Sequence, residues 1–166
     1  YAGDSNFNGS GDTEAHEIDK GPTATTIMSD LPDPTVYGED YTVSVMVEVL
    51  APAVGTATGT VIISDGNGNS CNATLSGGAG SCVLPSTVVG MPTLTAAFQE
   101  NASFYGSETT EGHTIDKADT ALALVTSDNL TVYGQSFTLT ATASAVAPGN
   151  GMPTGAVQFY IDGEAF

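Results

Sequence analysis

The side chains with chemistry to offer are two cysteines, two histidines, two lysines and a large excess of carboxylates. Cys71 and Cys82 are the only thiols. They flank Ser76-Gly77, and in a symmetric hairpin turning there positions 71 and 82 fall opposite each other, within reach of a disulfide. Two thiols without nearby histidine lack the four ligands that zinc takes, so an oxidised pair is expected, and with it an oxidising compartment. A loop this short stabilises by about 2 to 3 kcal/mol and would pin a hairpin without defining the fold.

The carboxylates suggest hard-cation chemistry. Asp30, Asp33, Glu39 and Asp40 lie close together in sequence, with Glu14 and Glu17 upstream. Calcium takes six to eight oxygens, and such a group placed at a domain junction would stiffen it. Asp65-Gly66-Asn67-Gly68-Asn69 carries the first three ligand positions of a calcium loop but has Ser70 and Ser76 where that loop needs Gly and Glu, so it is read as an Asx and Gly turn. His16 and His113 sit beside Glu14 and Glu17 and beside Glu111, respectively. No Ser-His-Asp arrangement is recognisable around them, and a cross-strand or surface role is expected. Lys20 and Lys117 are expected to be solvated.

The elements that must position these groups are set by recurrence. Thr35-Val36-Tyr37-Gly38 returns as Thr131-Val132-Tyr133-Gly134, at a spacing of 131 less 35, or 96. His16-Glu17-Ile18-Asp19-Lys20 returns as His113-Thr114-Ile115-Asp116-Lys117, at a spacing of 113 less 16, or 97. A period of this size is that of one small domain. Residues 1–20 then read as the closing strands of a preceding unit, with an aromatic, Phe7, buried at the centre of their loop. Residues 21–117 read as one complete unit, and 118–166 as the opening strands of a following one. At the calcium positions the third segment carries Ser127, Asp128, Gln135 and Ser136, so that acidic set does not recur.

Within 21–117 the clearest element is Thr42 to Val49, where Val43, Val45, Val47 and Val49 alternate with Thr42, Ser44, Met46 and Glu48. Period two over eight residues marks a half-buried strand. Strands are also expected at Ala24 to Met28, Gly59 to Ser64, Ser70 to Leu75, Ser81 to Leu84, Thr93 to Phe98 and Thr109 to Ile115. Turn signals every 8 to 12 residues give about seven strands, the pattern of an all-β, immunoglobulin-like sandwich. In the third segment Thr120 to Val125, Phe137 to Ala145 and Pro153 to Tyr160 read as strands. No window shows helical periodicity.

The chain has 166 residues, 40% of them hydrophobic; only 13% are charged, yet the net charge is −17. A surface with two lysines and no arginine repels nucleic acid and anionic membranes. No apolar stretch is long enough to span a membrane. Leu84-Pro85-Ser86-Thr87-Val88 comes near a cell-wall sorting signal but departs from it at the fifth position, and is read as a strand end and turn. Asn8, Asn72, Asn101 and Asn129 stand in glycosylation sequons.

The strings Thr131-Val132-Tyr133-Gly134-Gln135 and Pro153-Thr154-Gly155-Ala156-Val157-Gln158-Phe159 resemble the bacterial Ig-like repeats of large surface and secreted proteins, and Tyr1-Ala2-Gly3-Asp4-Ser5-Asn6-Phe7 resembles the turn between their last two strands. The middle segment departs from the pattern, with Gly55-Thr56-Ala57-Thr58-Gly59 in place of Pro-Thr-Gly and a cysteine pair. The resemblance implies tandem sandwiches used as spacers, stalks or adhesive modules, with no catalytic residues to carry over. The expected function is therefore non-enzymatic, a structural module of an extracellular or cell-surface protein forming a stalk, spacer or filament. Its partners would be neighbouring Ig-like repeats of the same or another copy of the chain. Two other readings remain: an adhesin module binding a surface glycan or protein through loop tips such as Tyr37 and Tyr105, and spacer domains of a large secreted enzyme. With an incomplete sandwich expected at each end, completion would come from continuing sequence or from strand complementation by another chain.

Overall fold

The computed structural model describes residues 1–165, and all regular secondary structure in them is β. In chain order the strands are β1 (Thr23–Leu31), β2 (Thr35–Val36), β3 (Asp40–Val49), β4 (Gly59–Ser64), β5 (Ser70–Leu75), β6 (Ala79–Pro85), β7 (Thr93–Phe98), β8 (Ser107–Gly112) and β9 (Ile115–Asp116). They are followed by β10 (Thr120–Thr126), β11 (Leu139–Ala145), β12 (Tyr160–Ile161) and β13 (Glu164–Ala165). Two antiparallel sheets, β1-β3-β6 and β5-β4-β7-β8, pack face to face, and the short pair β2-β9 runs parallel beside them. The alternation of β3 is the reason for the packing. Tyr41, Val43, Val45 and Val47 are at most 3% exposed, while Thr42 and Glu48 face solvent. Val61, Ile63, Leu75, Leu94 and Phe98 meet them from the other sheet. Each such side chain contributes about 1.5 to 3 kcal/mol by leaving water.

The expected hairpin of β5 and β6 is not a ladder. Ser76 bridges Ala79, so the turn is Gly77-Gly78, one residue later than the symmetric register required. Both glycines have positive φ, 66° and 85°, as a tight two-residue turn demands. At this corner the chain changes sheets: Cys71 pairs with Ile63 of β4, and Cys82 with Val43 of β3. Each strand gains a full ladder partner in its own sheet, which a mutual pairing at the sandwich edge would forgo. The disulfide nevertheless forms, with a Cα–Cα distance of 5.9 Å. It clasps the open edges of the two sheets instead of bridging rungs of one hairpin.

A second local feature decides the site. The β1–β3 register slips between Ile27 and Ser29, leaving Met28 as a bulged residue. A bulge reverses the inward-outward phase of the strand beyond it. Thr25 and Ile27 point inward before it, and Asp30 points inward after it.

The flanking segments form hairpins and turns without a second sandwich. β10 pairs with β11 in one unbroken register from Thr120 with Ala145 to Thr126 with Leu139. Leu122 and Leu124 are 59% and 60% exposed. Of the strand expected at Pro153 to Tyr160, only Tyr160 is in a strand, paired to β13. The closing strands expected in residues 1–20 are not formed either, and Phe7 is exposed where a buried aromatic was expected. An isolated strand pair has no facing sheet to cover its apolar side, so the apolar side chains of β10 stay in solvent.

Candidate functional site: a buried histidine network

His113 lies between β8 and β9 and is fully buried. Its ring stacks on Tyr41 of β3 with centroids 3.9 Å apart and planes 11° from parallel. Nδ1 is 2.9 Å from Asp30 Oδ2 and 3.6 Å from Asp33 Oδ1; Nε2 is 2.9 Å from Thr35 Oγ1. Thr35 Oγ1 is in turn 2.7 Å from Ser86 Oγ. An ionised carboxylate only accepts, so in the neutral ring Nδ1–H donates to Asp30 and Nε2 accepts from the Thr35 hydroxyl, which accepts from Ser86. The direction Ser86 to Thr35 to His113 to Asp30 is that of a hydroxyl–imidazole–carboxylate relay.

No motif marks this arrangement, because the four residues come from four segments: Asp30 from β1, Thr35 from β2, Ser86 from just after β6 and His113 from the β8–β9 connection. The bulge at Met28 and the parallel pairing of β2 with β9 bring them together. The one available clue was a discrepancy of one residue. Lys20 to Lys117 spans 97 and Thr35 to Thr131 spans 96, so the middle segment carries one extra residue between those landmarks. That is the place of the bulge.

Burial separates this network from a nucleophile relay. Thr35, Ser86 and His113 are each 0% exposed. A hydroxyl that no substrate can touch cannot attack one. What the arrangement can do is tie segments of both sheets together with the fully buried side-chain polar atoms of Asp30, Thr35, Ser86 and His113 partnered, the condition under which a buried polar network stabilises a fold. Tyr41 differs: its hydroxyl is buried without a hydrogen-bond partner, and burial, reinforced by the nearby charges of Asp65 and Asp30, pushes its pKa up to about 12.

The expected calcium set is divided. Asp30 and Asp33 join His113, with ligand atoms within 4.8 Å of one another, but Glu39 and Asp40 do not. The Glu39 carboxylate accepts the Val36 N–H within its own turn, and Asp40 is exposed at the start of β3. Asp33 Oδ1 also accepts the Thr114 N–H at 3.0 Å. Two carboxylates and an imidazole suit zinc better than calcium. The hydrogen bonds already described account for each of these ligand atoms.

The remaining candidates have local roles. Asp65 is buried and accepts the Asn67 and Asn69 backbone N–H groups and the Asn69 side-chain amide, closing the β4–β5 turn. Lys20 pairs with Glu100. The Tyr105 hydroxyl donates to Asp19 at 2.6 Å, which lowers the carboxyl's pKa and raises the phenol's. Tyr37 lies where the middle segment meets the next, its carbonyl accepting the Asn150 N–H at 3.2 Å. His16, the sequence counterpart of His113, is exposed. Among the described residues no helix is long and apolar enough to cross a membrane.

Comparison with protein-family models, with curated proteins and with solved structures returns no match for this chain.

Proposed function

We propose that this chain is a non-enzymatic structural module of an extracellular or cell-surface protein, in which immunoglobulin-like sandwiches follow one another in tandem as a stalk or spacer. The observation that carries this reading is the registration of the two strand pairs. Ile27 pairs with Val45 and Leu124 with Ala141; Ser29 pairs with Ser44 and Val125 with Thr140; Asp30 pairs with Val43 and Thr126 with Leu139. The partners coincide rung for rung once Met28 is set aside. Turns agree as well. Gly38 and Gly134 share a φ of 84°, and the residue after each caps the turn with its side chain, Glu39 onto Val36 and Gln135 onto Val132. Asp4 and Asn101, 97 apart, each accept two backbone N–H groups in the same way.

Only three residues separate β9 from β10. A joint that short is semi-rigid, because flexibility needs added length. Length and stiffness are then what the chain provides. The inter-sheet disulfide and the acidic surface suit an oxidising exterior. Residual dipolar couplings measured for residues 21–116 and for β10–β11 test the reading. A single alignment tensor for both is expected; independent tensors would show a flexible linker and remove the spacer role. A glycan array and the flanking chain sequence discriminate the adhesive and secreted-enzyme alternatives.

A further inference from the structure

The first and last strands of the middle unit run side by side in the same direction. At one end Gly21 forms a parallel bridge with Phe104: its N–H donates to the Ser103 carbonyl at 2.9 Å, and its carbonyl accepts the Tyr105 N–H at 3.0 Å. At the other end Thr35 and Val36 pair in parallel with Ile115 and Asp116. There the Thr35 N–H donates to the Thr114 carbonyl and the Tyr37 N–H to the Asp116 carbonyl, both at 2.9 Å. Between these ladders β1 and β8 belong to different sheets, and side chains take over. The Thr23 hydroxyl donates to the Tyr105 carbonyl at 2.8 Å, and the Thr25 hydroxyl is 2.7 Å from that of Ser107. Asp30 accepts the His113 Nδ1–H at 2.9 Å, and Asp33 accepts the Thr114 N–H at 3.0 Å. The partners advance together, from Gly21 with Ser103 to Tyr37 with Asp116. Every residue of this seam lies between 21 and 116, inside the middle unit.

Direction decides how such a seam fails. Tension on residue 21 draws the first strand back along its own axis, and tension on residue 116 draws the last strand forward along its own. All the bonds between them are then sheared together. In an antiparallel hairpin pulled at its open end, the rungs carry tension one at a time. β10 and β11 are joined in that weaker way, with Thr120 opposite Ala145 at the open end. β3 to β7 lie in sequence between the two seam strands, so they are spared tension while the seam holds. His113 and Thr35 are each 0% exposed. Hydrogen bonds shielded from water are electrostatically stronger, so these are the firmest side-chain bonds of the seam.

We propose that this seam is the element that carries tension along the chain, with the bonds of His113 to Asp30 and Thr35 as its lock. The inference rests on the stalk reading given above, which is what places the two ends under tension. The buried network then has a mechanical role in addition to holding the fold at rest.

The test holds the full chain at constant tension by its first and last residues and measures the lifetime of the middle unit. That unit is recognised by an unfolding step that grows by about 30 Å when Cys71–Cys82 is reduced, because the segment closed by the bond is then released. His113→Ala and Leu75→Ala are expected to lose similar stability in urea, Leu75 being buried on β5 away from the seam. Under tension His113→Ala is expected to shorten the lifetime about tenfold or more relative to Leu75→Ala, because only the seam has parted when the barrier is crossed. Thr25→Val removes the Ser107 bonds alone. It is expected to shorten the lifetime relative to the parent, and it serves where His113→Ala is too unstable to hold. Equal lifetimes for His113→Ala and Leu75→Ala, or a Thr25→Val lifetime equal to the parent's, overturn the proposal. With one alignment tensor in the couplings described above, that failure defeats the seam alone; independent tensors defeat the stalk reading on which it rests.

Discussion

Residues 21–116 and 118–165 share a sequence frame and a strand register, and they end in different states. In the first, Val43, Val45 and Val47 are sealed by a facing sheet. In the second, their counterparts Leu139, Ala141 and Ala143 lie on a two-stranded ribbon, and the paired Leu122 and Leu124 stay largely exposed. The turns are nevertheless the same in both. Turn geometry is satisfied by neighbours three or four residues away, whereas burial requires β4, β5 and β7 to arrive from far along the chain. Comparing the two segments thus separates what a strand pair does by itself from what a sandwich adds.

The sharpest way to break the comparison is to place a carboxylate at matching rungs. Val45→Asp buries an unpaired charge opposite the second sheet and is expected to cost about 4 kcal/mol or more, enough to unfold the middle unit. Ala141→Asp, on the uncovered ribbon, and Thr42→Asp, on the solvent face of β3, should each leave the melting temperature of the middle unit within a few degrees. Equal melting temperatures for Val45→Asp and Thr42→Asp would mean the register is wrong.

The two histidines give the next largest contrast. His113→Ala strands Asp30 and Thr35 inside the fold and should lower stability by about 3 kcal/mol in urea denaturation, while His16→Ala should fall within about 0.5 kcal/mol of the parent. Deleting Met28 sharpens this further. It gives β1 the unbulged register of β10 and keeps Ser29 opposite Ser44 and Asp30 opposite Val43, facing inward, so the network should survive and the deletion should cost much less than His113→Ala. A deletion as costly as His113→Ala would show that the network needs the bulge itself.

Reduction of Cys71–Cys82 should cost about 2 to 3 kcal/mol. Because the bond clasps two sheets, the added exchange on reduction should appear at both β5 and β6, with none at β10 or β11. Confinement of the change to the Gly77-Gly78 corner would indicate a merely local staple.

The smallest effect is at Tyr41. Its folded pKa lies above the ordinary 10.0, so the neutral phenol contributes stability that is fully present below pH 10 and is lost as pH rises toward about 12. Tyr41→Phe removes a buried hydroxyl without a partner; at pH 7 it should be neutral or stabilising by about 1 kcal/mol, and the alkaline step should shrink. An alkaline transition unchanged in Tyr41→Phe would assign it to other groups.

Much of this molecule was legible in its residues. Strict alternation from Thr42 to Val49 specified β3 and its buried face, because a pleated strand has no other way to bury every second side chain. Gly, Asn and Asp marked the turns, since few other residues accept their backbone angles. The cysteine pair was legible too, although its register was not. Tertiary structure alone decided the rest. Which sheet β5 and β6 join depends on ladder partners far away in sequence, so local symmetry misplaced the route by which Cys71 meets Cys82. The meeting of Asp30, Thr35, Ser86 and His113 likewise depends on one bulged residue and one parallel pairing, neither of which has a local pattern. The same His-x-Ile-Asp-Lys string is therefore exposed in one copy and at the centre of a buried network in the other, because burial belongs to the assembled sheets and not to the string.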